Sequence, residues 1–334
     1  MPAPASTVAI PGGNASDLFR DIRAEFLSTY RTGVGRNDKL ANVMRLGVSS
    51  DQRVERYGYY ESTPTISRVD RGEALGEDAF RAISYEVANL TFGKAIGWHE
   101  EDLDDVKLGD FREQARMLAT RAAQLPERVF FQVLTGAADA SLLSAIPLAP
   151  DGAALHATTA AGAARFGAVS GNLLTGTGVA TAGAVRSDLW NAIEQWKLFQ
   201  DTEGEPLLDE AVTEQGITIV YNSANEEVFR EALAQGRTVD RGGGGQSVTN
   251  TILESGLKLT LWSTQRLTDN DWFVSLDGLA PRAVFEQLRM PPRMIEETRE
   301  NSERARRNRI MALLLDMRAG YGINLPYASI AINN

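Results

Sequence analysis

The sequence predicts an α+β fold with a second α/β region inserted in its middle. Three observations carry this. Leu90, Phe92, Ile96 and Trp98 share one side of a segment with period two, which is a strand with an apolar face. A single helical stripe follows, from Phe111 through Ala115, Leu118, Ala122, Leu125 and Val129 to Val133. Strands then return at the end of the chain, so the elements before the helix and those at the terminus belong to one unit.

Taken in order, the first 35 or so residues read as an arm, broken early by Pro2, Pro4, Pro11 and Gly12-Gly13. A short helix from Ser16 carries Leu18, Ile22 and Phe26 at spacings of four, and Gly33 and Gly35 end it. Residues 54–98 read as two extended arms around a Gly-containing middle, a hairpin that needs another surface to lie on. The stripe from Phe111 keeps its phase through Pro126, which predicts one kinked helix over 110–136. Residues 137–181 read as loops with short strands. A helix from Gly183 carries Val185, Leu189, Ile193 and Trp196. A strand follows at Ile217–Tyr221, a helix from Asn225 to about Ala234, and a half-buried strand at Leu257, Leu259 and Leu261. Near the end Trp272, Val274 and Leu276 alternate, Gly278 turns, Ala283-Val-Phe285 runs back, and Met290-Pro-Pro292 breaks the chain. The charged segment Glu296 to Arg309 leads into Ile310–Leu315.

Composition narrows the chemistry. The chain has 334 residues, 34 Lys+Arg against 44 Asp+Glu, a net charge of −10 and no Cys. Disulfides, Fe–S clusters, thiolate zinc sites and Cys nucleophiles are excluded. The first residues lack the basic and apolar regions of a secretory signal, and Ile310–Leu315, the longest apolar run, is too short for a membrane span. An acidic chain is a poor candidate for wrapping nucleic acid by charge. His99-Glu-Glu-Asp-Leu-Asp-Asp105 is the densest group of possible metal ligands, yet its spacing fits neither an EF-hand nor a HExxH helix. It reads as an acidic entry to the long helix, where negative charge suits the dipole. His156 has no Ser or carboxylate at a catalytic spacing. Arg241–Gln246 lacks the Lys-Ser/Thr of a P-loop, and Thr175-Gly-Thr-Gly178 follows no clear strand. Arg304, Arg306, Arg307 and Arg309 stand beside Glu296, Glu297, Glu300 and Glu303 and read as ion-paired. No cofactor or metal is expected. An arm, a hairpin and a long helix without chemistry point to an assembly protein.

Seven pieces of the chain, in order over 57–322, carry a resemblance. Tyr57-Gly-Tyr-Tyr60 followed by Pro64 is similar to an opening Tyr-Gly-Trp-Leu and later Pro. Trp98–Asp105 with Gly109 resembles an acidic run before a long helix. Arg121-Ala-Ala, Pro126-Glu, Val129-Phe130, Leu134 and Gly136 match the end of that helix. Asp201 with Gly204-Glu-Pro-Leu207 resembles an Asp-Gly-x-Pro-Leu loop. Asp271-Trp-Phe-Val274, then Phe285, Arg289 and Pro291-Pro292, then Arg318-Ala-Gly-Tyr-Gly322 resemble its closing strands. The family is that of phage major capsid proteins, in particular the Mu-like prophage major head subunit gpT. Two departures stand out: Tyr59 replaces the family's Trp, and the His-x-Asn element is stretched, with His156 well separated from Asn172.

The resemblance implies a head protein with the HK-ninety-seven-type fold. The N-terminal arm would be 1–40, the P-domain 41–53 and 99–139 with its spine helix, the E-loop 54–98, the A-domain 140–270, and the P-domain's closing strands 271–334. It implies self-assembly into pentamers and hexamers of an icosahedral shell, assembled in host cytoplasm and found in the virion. Scaffolding, portal and decoration proteins would be partners. DNA would be enclosed without sequence-specific binding, and no membrane is involved. Candidate interface residues are Tyr57, Tyr59, Tyr60, Leu90, Phe92, Ile96 and Trp98. Lys94 is the only Lys between Arg56 and Trp98, so cross-linking between subunits has little support. An encapsulin-like cellular shell is the alternative, and a metal-dependent enzyme using 99–105 the remote one.

Overall fold

The computed structural model describes residues 15–35, 38–60, 82–99, 108–167, 171–208, 216–234, 237–239, 247–249, 252, 255–279, 282–298 and 301–334. The acidic run 100–107 lies outside them.

The chain starts with α1 (Ala15–Val34) and α2 (Asp38–Val43), which runs straight into β1 (Met44–Ser49). Strands β2 (Val54–Tyr60), β3 (Ala82–Ala88) and β4 (Leu90–His99) follow, then α3 (Leu108–Ala123) and α4 (Leu125–Thr135). The single kinked helix expected over 110–136 is therefore two. The break falls at Gln124, two residues before Pro126, which sits in the first turn of α4. Proline lacks the N–H that would bond the Ala122 carbonyl, and the first turn of a helix is where that loss is tolerated. The ladder resumes on both sides, with Gln124 N–H donating to Thr120 O at 3.0 Å and Arg128 N–H to Gln124 O at 3.0 Å. The apolar stripe keeps its phase across the break, with Ala115, Ala122, Leu125, Val129 and Val133 buried.

Short pieces β5 (Thr159–Ala160), β6 (Ala163–Ala164) and β7 (Leu173–Thr175) lead to α5 (Ala182–Lys197), capped by the Thr181 hydroxyl. Strand β8 (Ile217–Asn222) and α6 (Glu226–Leu233) come next, then β9 (Arg237–Val239), β10 (Ser247–Thr249), β11 (Leu259–Thr264) and β12 (Trp272–Leu276). The chain closes with β13 (Val284–Glu297), the short α7 (Glu303–Asn308), β14 (Ile310–Ile323) and β15 (Ser329–Asn333).

Two sheets result. One is ordered β1-β13-β14-β4, with β1 parallel to β13 and the rest antiparallel. The other is ordered β11-β8-β12-β15-β7, parallel at both edges and antiparallel in the middle. The run-back expected after Gly278 does not occur. Val284–Glu297 leaves for the first sheet, and the neighbours of β12 are β8 and β15. All five residues of β12 are buried because it is the central strand, so its alternation does not mark a wet face. Nor do Pro291 and Pro292 break the chain. They lie inside β13, past the last rung with β1 at Leu288, where the pairing with β14 shifts between Met290 and Arg293. A bulge with one open side is where a strand tolerates missing donors.

Three cores hold these layers. Val129, Phe130 and Val133 of α4 pack with Trp262, Phe273, Met317 and Tyr321, between the two sheets. Helices α5 and α6 cover the second sheet, Val185, Leu189, Trp196 and Phe229 meeting Ile217, Ile219, Trp272 and Val274. Helix α1 covers β4 and α3, with Phe19, Ile22 and Phe26 each 0% exposed against Trp98, Ala115, Ala119 and Leu313.

Candidate assembly surface

The β2–β3 pair is a two-stranded ladder that belongs to neither sheet. Its register runs from Val54↔Ala88 to Tyr60↔Ala82, and Asn89 N–H closes it onto Arg53 O at 2.9 Å. The aromatic and β-branched residues that favour an extended chain are there: Val54, Tyr57, Tyr59, Ile83, Tyr85 and Val87.

The base of this hairpin lies on one face of β13 and β14. Tyr57 rests edge-on against Phe285, centroids 5.2 Å apart, and its hydroxyl donates to Gln287 Oε1 at 2.9 Å. Tyr85 Oη accepts the Ile323 N–H at 3.0 Å. Burial pushes the phenol pKa values of Tyr57 and Tyr85 up, so both stay neutral. Gly320 and Gly322 stand directly across from Gln287 and Phe285. A Cβ at Gly320 would lie 2.5 Å from Gln287 Nε2 and 2.8 Å from Ala88 O. One at Gly322 would lie 2.7 Å from the Phe285 ring and 2.9 Å from Val87 Cγ2. The two glycines of Arg318-Ala-Gly-Tyr-Gly322 are thus the bare strip on which β3 sits. Sequence reasoning singled out the motif but not this reason.

Of the other candidate residues, Tyr59 lines a pocket of about 430 Å³ with Arg45, Tyr57, Tyr85, Pro150 and Phe285. The Tyr60 side chain lies outside the described residues. The face of β4 is covered by the chain's own helix: Trp98 is 8% exposed, stacks on Phe19 at 6.2 Å and donates to Gln114 Oε1 at 3.0 Å. Ile96 packs in the same cluster, and Phe92 meets Tyr321 edge-on at 6.2 Å. Leu90, at 37%, is the exposed member of the row.

Of the residues weighed for chemistry, 100–105 and 241–246 lie outside the described residues, and His156 is held in a buried polar network. His156 Nδ1–H donates to Leu134 O at 3.1 Å, so Nε2 accepts from Ser329 Oγ at 2.9 Å. A Ser–His contact does exist, but Ser329 is 1% exposed and no carboxylate orients the imidazole. Burial drives the His156 pKa down to about 3. The separated His156 and Asn172 converge in space, because Asn172 Nδ2 donates to Ser329 O at 2.9 Å. Buried Arg165 joins them, forked onto Asp151 at 2.6 and 3.0 Å. Arg304 pairs with Glu297 at 3.8 Å and Arg307 with Glu303 at 2.5 Å. His99 is exposed, and among the described residues no group of three or more His, Asp or Glu is placed to hold a metal. Among them, too, no helix is long and apolar enough to cross a membrane.

Comparison with known proteins gives these features a context. The family model described as phage capsid protein matches residues 84–331, and that of the Mu-like prophage major head subunit gpT matches residues 17–142. No curated protein matches significantly. The mature capsid of bacteriophage PhiM1 superposes with a TM-score of 0.56 at 12% identity, over 88% of this chain and 86% of that one. The capsid of cyanophage P-SCSP1u gives 0.53 at 13%, over 88% and 87%. A virus-like particle from Pyrococcus furiosus gives 0.51 at 10%, over 94% and 98%. At such identities the superpositions establish a shared fold. With the family model spanning most of the sequence and a shared fold across the capsid structures, the chain belongs to the phage capsid protein family, a family of structural shell subunits and not of enzymes.

Proposed function

We propose that this chain is the major head subunit of a tailed phage or prophage, forming pentamers and hexamers that close an icosahedral shell around DNA. One observation carries the reading: a two-stranded ladder that pairs with neither of the two larger sheets and rests on its own subunit through Tyr57, Tyr85 and Val87. Such a ladder is marginal alone and gains stability by lying on a neighbour. On this reading residues 1–40 are the arm, 54–98 the E-loop, 41–53 with 99–139 and 271–334 the P-domain, and 140–270 the A-domain. Within the E-loop, β2 and β3 reach outward and β4 anchors them. Tyr57, Tyr59, Tyr60 and Leu90 are interface candidates in the assembled shell, whereas Phe92 is covered by Tyr321, and Ile96 and Trp98 by the subunit's own helices. The net −10 suits a wall that repels packaged DNA and does not bind it. Scaffolding, portal and decoration proteins would complete assembly in host cytoplasm.

The test is assembly itself. Purified chain is passed over a sizing column and imaged by negative stain across salt and protein concentrations. Capsomers or shells are expected. A stable monomer under every condition overturns the proposal.

A further inference from the structure

Gln287 is a polar side chain with 0% exposure in the middle of a sheet, and every hydrogen bond of its carboxamide goes to the hairpin or its exit. Nε2 donates to Val87 O and to Asn89 Oδ1, both at 3.0 Å, while Oε1 accepts from the Tyr57 hydroxyl at 2.9 Å. The orientation of the amide is forced. Val87 O can only accept, and Asn89 Nδ2 is committed to Ser50 Oγ at 2.7 Å and Gln52 O at 2.6 Å. Asn89 therefore presents its oxygen to Gln287. Ser50 Oγ in turn donates to Glu55 Oε1 at 2.9 Å, and that same oxygen accepts the N–H groups of Asp51 and Gln52 at 2.8 and 2.9 Å.

The hairpin joins the body through two segments, 50–53 on entry and Asn89 on exit. One connected polar network ties both to one buried side chain on β13. An apolar weld would tolerate sliding; three directional bonds to one amide do not. We infer that Gln287 is the positioning residue for shell assembly, its carboxamide setting the angle at which the β2–β3 hairpin leaves the subunit. This rests on the assembly reading above and adds the element that fixes the geometry of the lever. Gly320 belongs to the same device. It faces Gln287 across the sheet, and its missing Cβ leaves the space that the amide and Ala88 O occupy.

The experiment uses full-length Gln287→Met, which keeps the side chain's length and removes all three bonds, beside Tyr57→Phe, which removes one. Hydrogen exchange is followed in 54–60 and 82–88, with β12 as the internal reference, and particles are sized by electron microscopy. In Gln287→Met, hairpin amides should exchange at least tenfold faster while β12 amides keep the parent rate, and particles should become heterogeneous or scarce. Tyr57→Phe should show a smaller change of the same kind. Unchanged hairpin exchange with parent-like particles overturns the inference. So does equal acceleration in β12, which would make Gln287 a core residue only. A parent chain that never assembles defeats the shell reading alone, since the exchange measurement still decides whether Gln287 holds the hairpin.

Discussion

Gly320→Ala is the smallest change that tests the seat of the hairpin. Gly320 does not have a positive φ, so alanine suits its backbone and only space opposes it. The added Cβ would come within 2.5 Å of Gln287 Nε2, 2.8 Å of Gln287 Cγ and 2.8 Å of Ala88 O. Carbon does not approach other heavy atoms that closely, so something must move by about half an ångström. Gln287 is fully enclosed, and Ala88 O belongs to the hairpin's backbone. Either the amide leaves its bonds or β3 lifts. Overpacking a filled site costs about 1–3 kcal/mol, and each lost hydrogen bond about 1 kcal/mol. The two overlap, which gives a loss of about 2–4 kcal/mol. If β3 detaches with the cores intact, the upper end is bounded by the docking energy of the hairpin. Urea denaturation of the unassembled subunit, followed by tryptophan fluorescence and by exchange of the 82–88 amides, reads both routes. Gly58→Ala is the control, since its Cβ would meet nothing within 4 Å. If Gly320→Ala matches the control in subunit stability and exchange, the steric argument for the seat is wrong.

Replacing residues 61–81 by a two-residue Asn-Gly turn suits the Tyr60↔Ala82 rung that would flank it. The variant should fold, keep the parent's circular dichroism and form no shells; normal shells would remove the hairpin from the interface. Phe26→Ala in α1 empties a site of 0% exposure and should cost about 3–5 kcal/mol, read as rapid proteolysis of α1 and an earlier urea transition; protection equal to the parent's would show that α1 is not held by this core. For His156 the folded pKa of about 3 lies below the unfolded value near 6.5. The unfolded chain therefore takes up the proton first as pH falls. The stability from neutral His156 is complete above about pH 6.5 and is lost progressively towards pH 3. At pH 5 the loss should be about 2 kcal/mol, seen as a lower urea midpoint than at pH 7.5. His156→Gln should flatten that slope; an equal slope in the variant would assign it to other groups.

What could be read from the sequence was what local periodicity encodes. The stripe from Ala115 to Val133, the α5 positions Val185, Leu189, Ile193 and Trp196, and the strand at Ile217–Tyr221 all fall where spacing put them, because burial on one face imposes the repeat. The failures occur where partners distant in sequence decide. Pro291 and Pro292 are breakers by local rules and strand residues in fact, because β1 ends at Leu288 and leaves that side open. The apolar face of Leu90–Trp98 reads as a surface awaiting a neighbour, yet most of it is covered by Phe19, about 80 residues before Trp98, and by Tyr321, about 230 after Phe92.

The seat was hidden for the same reason. Nothing local distinguishes Gln287 from a surface glutamine inside a strand, and its significance comes from Tyr57 and Val87, 230 and 200 residues away. A glycine pair in a strand, Gly320 and Gly322, was the available signal, since glycine inside a strand weakens it unless another backbone comes close. Here β3 comes close. A hairpin fastened by directional bonds to a buried amide keeps one angle, whereas one fastened by apolar contact alone has many. On the proposed reading, shell closure depends on that difference, because an angular error in each subunit would accumulate around every ring of five or six.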